Sequence, residues 1–143
     1  TNIDELNNLN LKTNIEEGDI GFSNSTLMWK DDLKITLNES FLNYDENEIN
    51  LFGKLIFDFE DVDNFYKSFQ LPKSYRKKIN KIEIDFVYNF DKKKINFDNA
   101  IIDDNPNLNV SKFVEKFNDS GNQILNKITL KNFINNFFIA YSG

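Results

Sequence analysis

Two groups of carboxylates are the residues in this chain whose types and spacing could support site chemistry. Asp58, Glu60, Asp61 and Asp63 crowd one short stretch, and Asp103, Asp104, Asn105, Asn107 and Asn109 gather oxygen ligands of the kind calcium takes. Neither group has the turn glycine and terminal bidentate glutamate of a calcium loop, so both read as solvated turn and helix-cap residues. Asp58 and Asp85 would make a glycosidase-like pair only across a cleft, with one carboxyl in an apolar pocket that raises its pKa. Both fall instead on the polar faces of their strands. His and Cys are absent, which removes the commonest general base near neutral pH, any thiolate nucleophile, any disulfide and the usual zinc ligands. There is no Gly-rich phosphate loop and no nucleophile elbow. The chain reads as non-enzymatic, with no catalytic residue, no metal site and no cofactor.

Trp29, Tyr44, Tyr88 and Phe90 are the candidates for a stacking platform, which would make a carbohydrate-binding domain; core packing explains the same residues. A net charge of -6, with Arg76 the single arginine, argues against a nucleic-acid surface. The Lys92 to Lys94 run is expected at a solvated hairpin tip rather than an anion site. Asn-x-Ser/Thr triplets at Asn24, Asn38, Asn109 and Asn118 are chance matches in an Asn-rich composition typical of an AT-rich genome.

The elements that must position these residues are clearer than any chemistry. Ile49, Leu51, Gly53, Leu55, Phe57 and Phe59 alternate along one ribbon, and Ile82, Ile84, Phe86, Tyr88 and Phe90 along another, so each is a strand with one apolar face. Ile95, Phe97, Asn99 and Ile101 return antiparallel to the second. Upstream, Leu9 to Ile15 alternates weakly and is expected to continue through Gly18 to Phe22, with Gly18 and Gly21 at a bulge or bend. Three short strands then follow, at Leu27 and Trp29, at Leu33 to Leu37, and at Phe41 to Tyr44, separated by Asp31-Asp32 and Asn38-Glu39.

Helical spacing starts at Asp61, a candidate cap together with Asp63, and carries Val62, Phe65, Tyr66 and Phe69 up to the break at Leu71-Pro72. It resumes with Val110, Phe113, Val114 and Phe117, and again with Leu130, Phe133, Ile134, Phe137, Phe138 and Tyr141. That last stripe is complete. It is expected to lie on the apolar side of the sheet; the alternative, a membrane surface, fits poorly with a polar face richer in Asn than in Lys or Arg.

With 143 residues, the chain is expected to form a single β-rich domain over 1–143, a fragment of a longer protein. The sheet should occupy 1–60 and 81–103, and helices 61–70, 109–118 and 129–141. The fold class is α+β, β-dominated: an antiparallel curved sheet of long and short strands, a half-barrel or groove, with C-terminal amphipathic helices. No apolar run of about 18 residues is present, and no signal-peptide pattern marks the start.

The stretch GDIGFSNSTLMWKDDLKITLNESFLNYDENEINLFGKL, from Gly18 to Leu55, resembles repeats of the AsmA-like family of envelope proteins, which includes the TamB-like group. Its Gly18-x-Ile20-x-Phe22-x-Asn24-Ser25 start, acidic tip and later apolar-Gly53-x-apolar strand carry the likeness. It extends through Leu71-Pro72-Lys73 and Tyr88-Asn89-Phe90 to Leu130-Lys131-Asn132-Phe133 and the closing Tyr141-Ser142-Gly143. The resemblance implies a hydrophobic β-groove in the periplasm of Gram-negative bacteria, anchored at the inner membrane through a segment outside this stretch. It also implies phospholipid as partner, a part in inter-membrane lipid transport or outer-membrane biogenesis, and possible envelope protein partners. Groove contacts expected from the apolar ribbon faces are Ile49, Leu51, Leu55, Phe57, Ile82, Ile84, Phe86, Ile95 and Phe97. The competing expectation is a structural or protein-interaction module with a closed core.

Overall fold

The computed structural model describes residues 5–121 and 127–143. Residues 1–4 of the expected 1–60 sheet region lie outside them. Among the described residues nine strands form one open, curved antiparallel sheet, joined by three helices. The strands are β1 Leu6–Asn10, β2 Asn14–Glu16, β3 Asp19–Gly21, β4 Ser25–Trp29, β5 Leu33–Asp45, β6 Glu48–Phe59, β7 Lys81–Asn89, β8 Lys94–Ile102 and β9 Asn105–Pro106. From β4 to β9 the chain is a simple meander; β1 adds outside β4, and the β2–β3 hairpin attaches beyond the bulge of β5.

The register turns one-strand alternation into rows across the sheet. Leu27, Ile35, Phe57, Ile82 and Ile102 form one apolar row over five strands. Ile20, Leu42, Leu51, Tyr88 and Ile95 form another, further along the same face. Leu37, Leu55 and Ile84 lie between them. Antiparallel neighbours place these side chains within direct contact of one another.

Three bulges keep the rows in phase. Asn8-Leu9 on β1 oppose Leu27, Glu39-Ser40 on β5 oppose Gly53, and Asn99-Ala100 on β8 oppose Ile84. In each, the first bulge residue has a positive φ, 52° at Asn8, 45° at Glu39 and 49° at Asn99. Such insertions bend the strand and raise its twist, which supplies the curvature.

The three helices then cover one end of the apolar face. The first, α1 Val62–Ser68, is capped by Asp61, whose carboxylate accepts from Asn64 N–H at 2.9 Å. Asn107 caps α2 Leu108–Ser120 by accepting from Val110 N–H at 3.1 Å, and Gly121 ends it in the left-handed conformation. The third, α3 Lys127–Ser142, brings its stripe down between the other two, and Phe137 and Phe138 are buried there. Phe138 makes edge contacts with Phe59, Phe65 and Tyr66; Phe133 packs on Phe97, Phe113 and Phe117. The core position expected for this helix is the one it takes. No helix of the described residues is long and apolar enough to cross a membrane.

Three local expectations are corrected. Leu33 to Asp45 is one strand, because Asn38 stays paired with Lys54 and Glu39-Ser40 form a bulge and not a turn. Gly18 is the second residue of a two-residue turn, with φ 52° at Glu17 and 92° at Gly18, so the expected continuous strand folds back as the β2–β3 hairpin. The loop at 103–107 contains the short β9, paired with Ile101 and Ile102.

Candidate functional site

The acidic groups are occupied with structure. Asp103 accepts from the N–H groups of Asn80 and Lys81, both at 2.9 Å, and Asp104 lies 3.1 Å from Lys81 Nζ, so this loop anchors the start of β7. The Asp104 carboxylate first, and Glu83 next, hold the Lys81 ammonium above its ordinary pKa. Among the described residues no cluster of three or more potential metal ligands is assembled. Asp58 pairs in register with Lys81 and Asp85 with Lys54, four ladder positions away, or about 13 Å along the strand. Glycosidase carboxylates work at roughly 5–9.5 Å. The candidate pair is not brought together, and Asp85 accepts instead from Asn99 Nδ2 at 2.8 Å.

The expected aromatic platform is dispersed as well. Trp29 lies opposite Leu33, at one end of β5, and Tyr44 lies at the other, roughly 35 Å away along an extended strand. Trp29 packs on Phe69 with ring centroids 5.4 Å apart, while Tyr88 and Phe90 meet edge to face at 4.9 Å. The Lys92 to Lys94 run forms the β7–β8 tip, where Lys92 pairs with Glu48 at 2.9 Å.

One site with a defined shape is apolar. Between the sheet and α3 lies a cleft of about 420 Å³, bounded by Leu27, Trp29, Ile35, Leu55, Phe57, Ile82, Ile84 and Ile95 from the strands. Phe65 and Phe69 of the α1 segment and Leu130, Phe133, Ile134 and Phe137 of α3 close the other side. Among the described residues no ionisable side chain lines it. Its volume lies within the range of small-ligand sites. The indole N–H of Trp29 is buried and without a hydrogen-bond partner among the described residues.

Of the nine sequence-derived groove residues, Leu55, Phe57, Ile82, Ile84, Ile95 and Phe97 border this cleft. Phe86 is buried in the core over Gly53, at whose position an added Cβ would lie 2.9 Å from Phe86 Cε1. Leu51 and Ile49 share the apolar face but sit beyond the cleft, and Ile49 is 43% exposed. Sequence reasoning missed the contribution of α1 and α3 to the wall. The helical stripes that it detected were the available signal, but a stripe does not say which strands it will face.

The apolar face continues where the helices stop. By register Ile15, Ile20, Tyr44 and Ile49 lie on the same side of the sheet as the cleft residues, and all are exposed. Phe90, 46% exposed, extends the series from β7. An enclosed apolar cleft and an uncovered apolar surface therefore belong to one continuous face. No protein-family model, curated protein or solved structure matches the chain.

Proposed function

We propose that this chain is a non-enzymatic lipid-binding domain that shelters acyl chains on the apolar face of its sheet. The observation that supports it is the cleft lined, among the described residues, by apolar side chains and continuous with exposed apolar side chains on the same face. Large exposed apolar patches mark interaction sites, because water otherwise penalises them. An acyl chain gains about 0.8 kcal/mol per buried methylene, and the paucity of hydrogen-bonding groups in the wall gives it no fixed register. A chain held in this way slides between equivalent positions. The likeness to AsmA-like envelope proteins supports a periplasmic domain, anchored at the inner membrane by another segment, in phospholipid transport or outer-membrane biogenesis.

Native mass spectrometry of the domain expressed in a Gram-negative periplasm, followed by lipid extraction, tests this. Co-purifying lipid in the parent protein, lost when Ile35→Phe and Leu55→Phe fill the cleft without adding polarity, is the expected result. A folded parent protein free of lipid under all loading conditions would sink the proposal. It would favour the second reading, a closed-core interaction module, which has its own support: α3 occupies much of the face, and the outer edge of β1 has no neighbouring strand among the described residues.

A further inference from the structure

We infer that the cleft takes a single-chain anionic amphiphile, a fatty acid, with its carboxylate held by Lys30 and Lys131. This rests on the acyl-chain reading above and, for the enclosed cleft, assigns a single-chain lipid in place of a two-chain phospholipid. Trp29, Phe69 and Leu130 all belong to the cleft wall, and the next residue in the chain after each is Lys30, Gln70 or Lys131. Lys30 Nζ donates to Ser68 Oγ at 3.1 Å and Lys131 Nζ donates to Gln70 Oε1 at 2.6 Å. Ser68 and Gln70 are the two neighbours of Phe69, so each ammonium group bonds a residue that flanks this one piece of cleft wall. Two cations beside an apolar wall, one of them shared with Glu5, stand out in a chain of net charge -6.

The acceptors that hold these ammonium groups are neutral, apart from Glu5, whose carboxylate lies 3.4 Å from Lys30. The Ser68 hydroxyl already donates to Asn64 O, and so presents only lone pairs to Lys30. A carboxylate in place of these neutral acceptors makes shorter, stronger, charge-assisted hydrogen bonds. Cleft size sets the tail. At roughly the 30 Å³ that one water molecule takes up in the liquid, which is also about the size of a methylene, 420 Å³ holds one medium-length chain and not two.

Trp29 is the single tryptophan and lies in the wall, so its fluorescence reports occupancy without a label. The whole chain is titrated with myristate and with methyl myristate above neutral pH, and the titrations are repeated on Lys30→Gln/Lys131→Gln. Myristate is expected to bind about tenfold more tightly than the ester, and the double variant to bind both equally, since each partly exposed ammonium contributes modestly. Equal binding of acid and ester by the parent protein, or a preference that survives in the double variant, overturns the head-group assignment and leaves the acyl cleft standing. Absence of any response to either probe overturns both.

Discussion

Asn118 pairs with the backbone of Phe97 as a neighbouring strand would. Its Oδ1 accepts from Phe97 N–H at 2.9 Å and its Nδ2 donates to Phe97 C=O at 2.7 Å, from the last turns of α2. The free edge of β8 is thereby satisfied at its centre by a helix side chain. Exposed strand edges are templates for further pairing, and covering them is how sheet proteins stay apart.

Asn118→Leu keeps the bulk and removes both hydrogen bonds, leaving the two Phe97 backbone groups partly buried and unpaired. The expected cost is about 1–3 kcal/mol, accompanied by concentration-dependent association. Urea melts and light scattering over a concentration series measure both. Unchanged stability with a monodisperse solution would show that the pair does not guard this edge.

Gly53 faces the β5 bulge, and a Cβ there would lie 2.9 Å from Phe86 Cε1 and 3.0 Å from Leu37 Cδ1. Alanine ordinarily stabilises a strand over glycine by roughly 0.5–1 kcal/mol. Here both contacts must open inside a packed row, and overpacking costs about 1–3 kcal/mol. Gly53→Ala is therefore expected to lower the urea midpoint; a rise would mean that the Phe86 ring gives way freely.

Ser40, 3% exposed, carries a buried hydroxyl with no hydrogen-bond partner among the described residues. Removing an unsatisfied polar group relieves its desolvation penalty while its small volume leaves little cavity. Ser40→Ala is expected to be neutral or to stabilise by up to about 1 kcal/mol. A loss of more than that in thermal or chemical melts would reveal a partner for the hydroxyl.

Glu48 accepts from Lys92 Nζ and from Asn89 Nδ2, the latter at 2.7 Å. These bonds, Lys92's first and Asn89's second, hold its carboxyl below the ordinary 4.5 against a smaller upward push from desolvation. A depressed folded pKa contributes stability that is complete above the unfolded value and is lost as pH falls through the folded one. Glu48→Gln should accordingly flatten the acid side of a stability–pH curve, from 4.5 downwards, and lower the neutral plateau slightly. Parallel curves for the two proteins would exclude a role for this carboxylate.

Much of the architecture is legible in apolar spacing. The alternation through Leu51, Leu55 and Phe57 and through Ile82, Ile84 and Phe86 reads directly as β6 and β7, and the stripe from Leu130 to Tyr141 as α3, because burial on one face leaves a regular period. The β5 strand was hidden because its period changes phase: Leu33, Ile35 and Leu37 are odd, Leu42 and Tyr44 even, and the bulge at Glu39-Ser40 absorbs the difference. The β2–β3 turn was hidden because Glu17 takes a positive φ that its residue type does not advertise. The cleft was half legible. Its floor follows from strand alternation, whereas its roof depends on where Phe65, Phe69 and Phe133 dock, a long-range relationship without a local pattern.

The phase change in β5 also means that residues 39 and 40 together fill a single place in the ladder, opposite Gly53. Deleting either one leaves every other partner as it is: Leu33 to Leu37 keep theirs, and Leu42 and Tyr44 remain opposite Leu51 and Ile49 on the apolar side. What the deletion removes is the local bend and twist of the bulge, so the exposed end of the apolar face would straighten away from the enclosed end without one side chain changing sides.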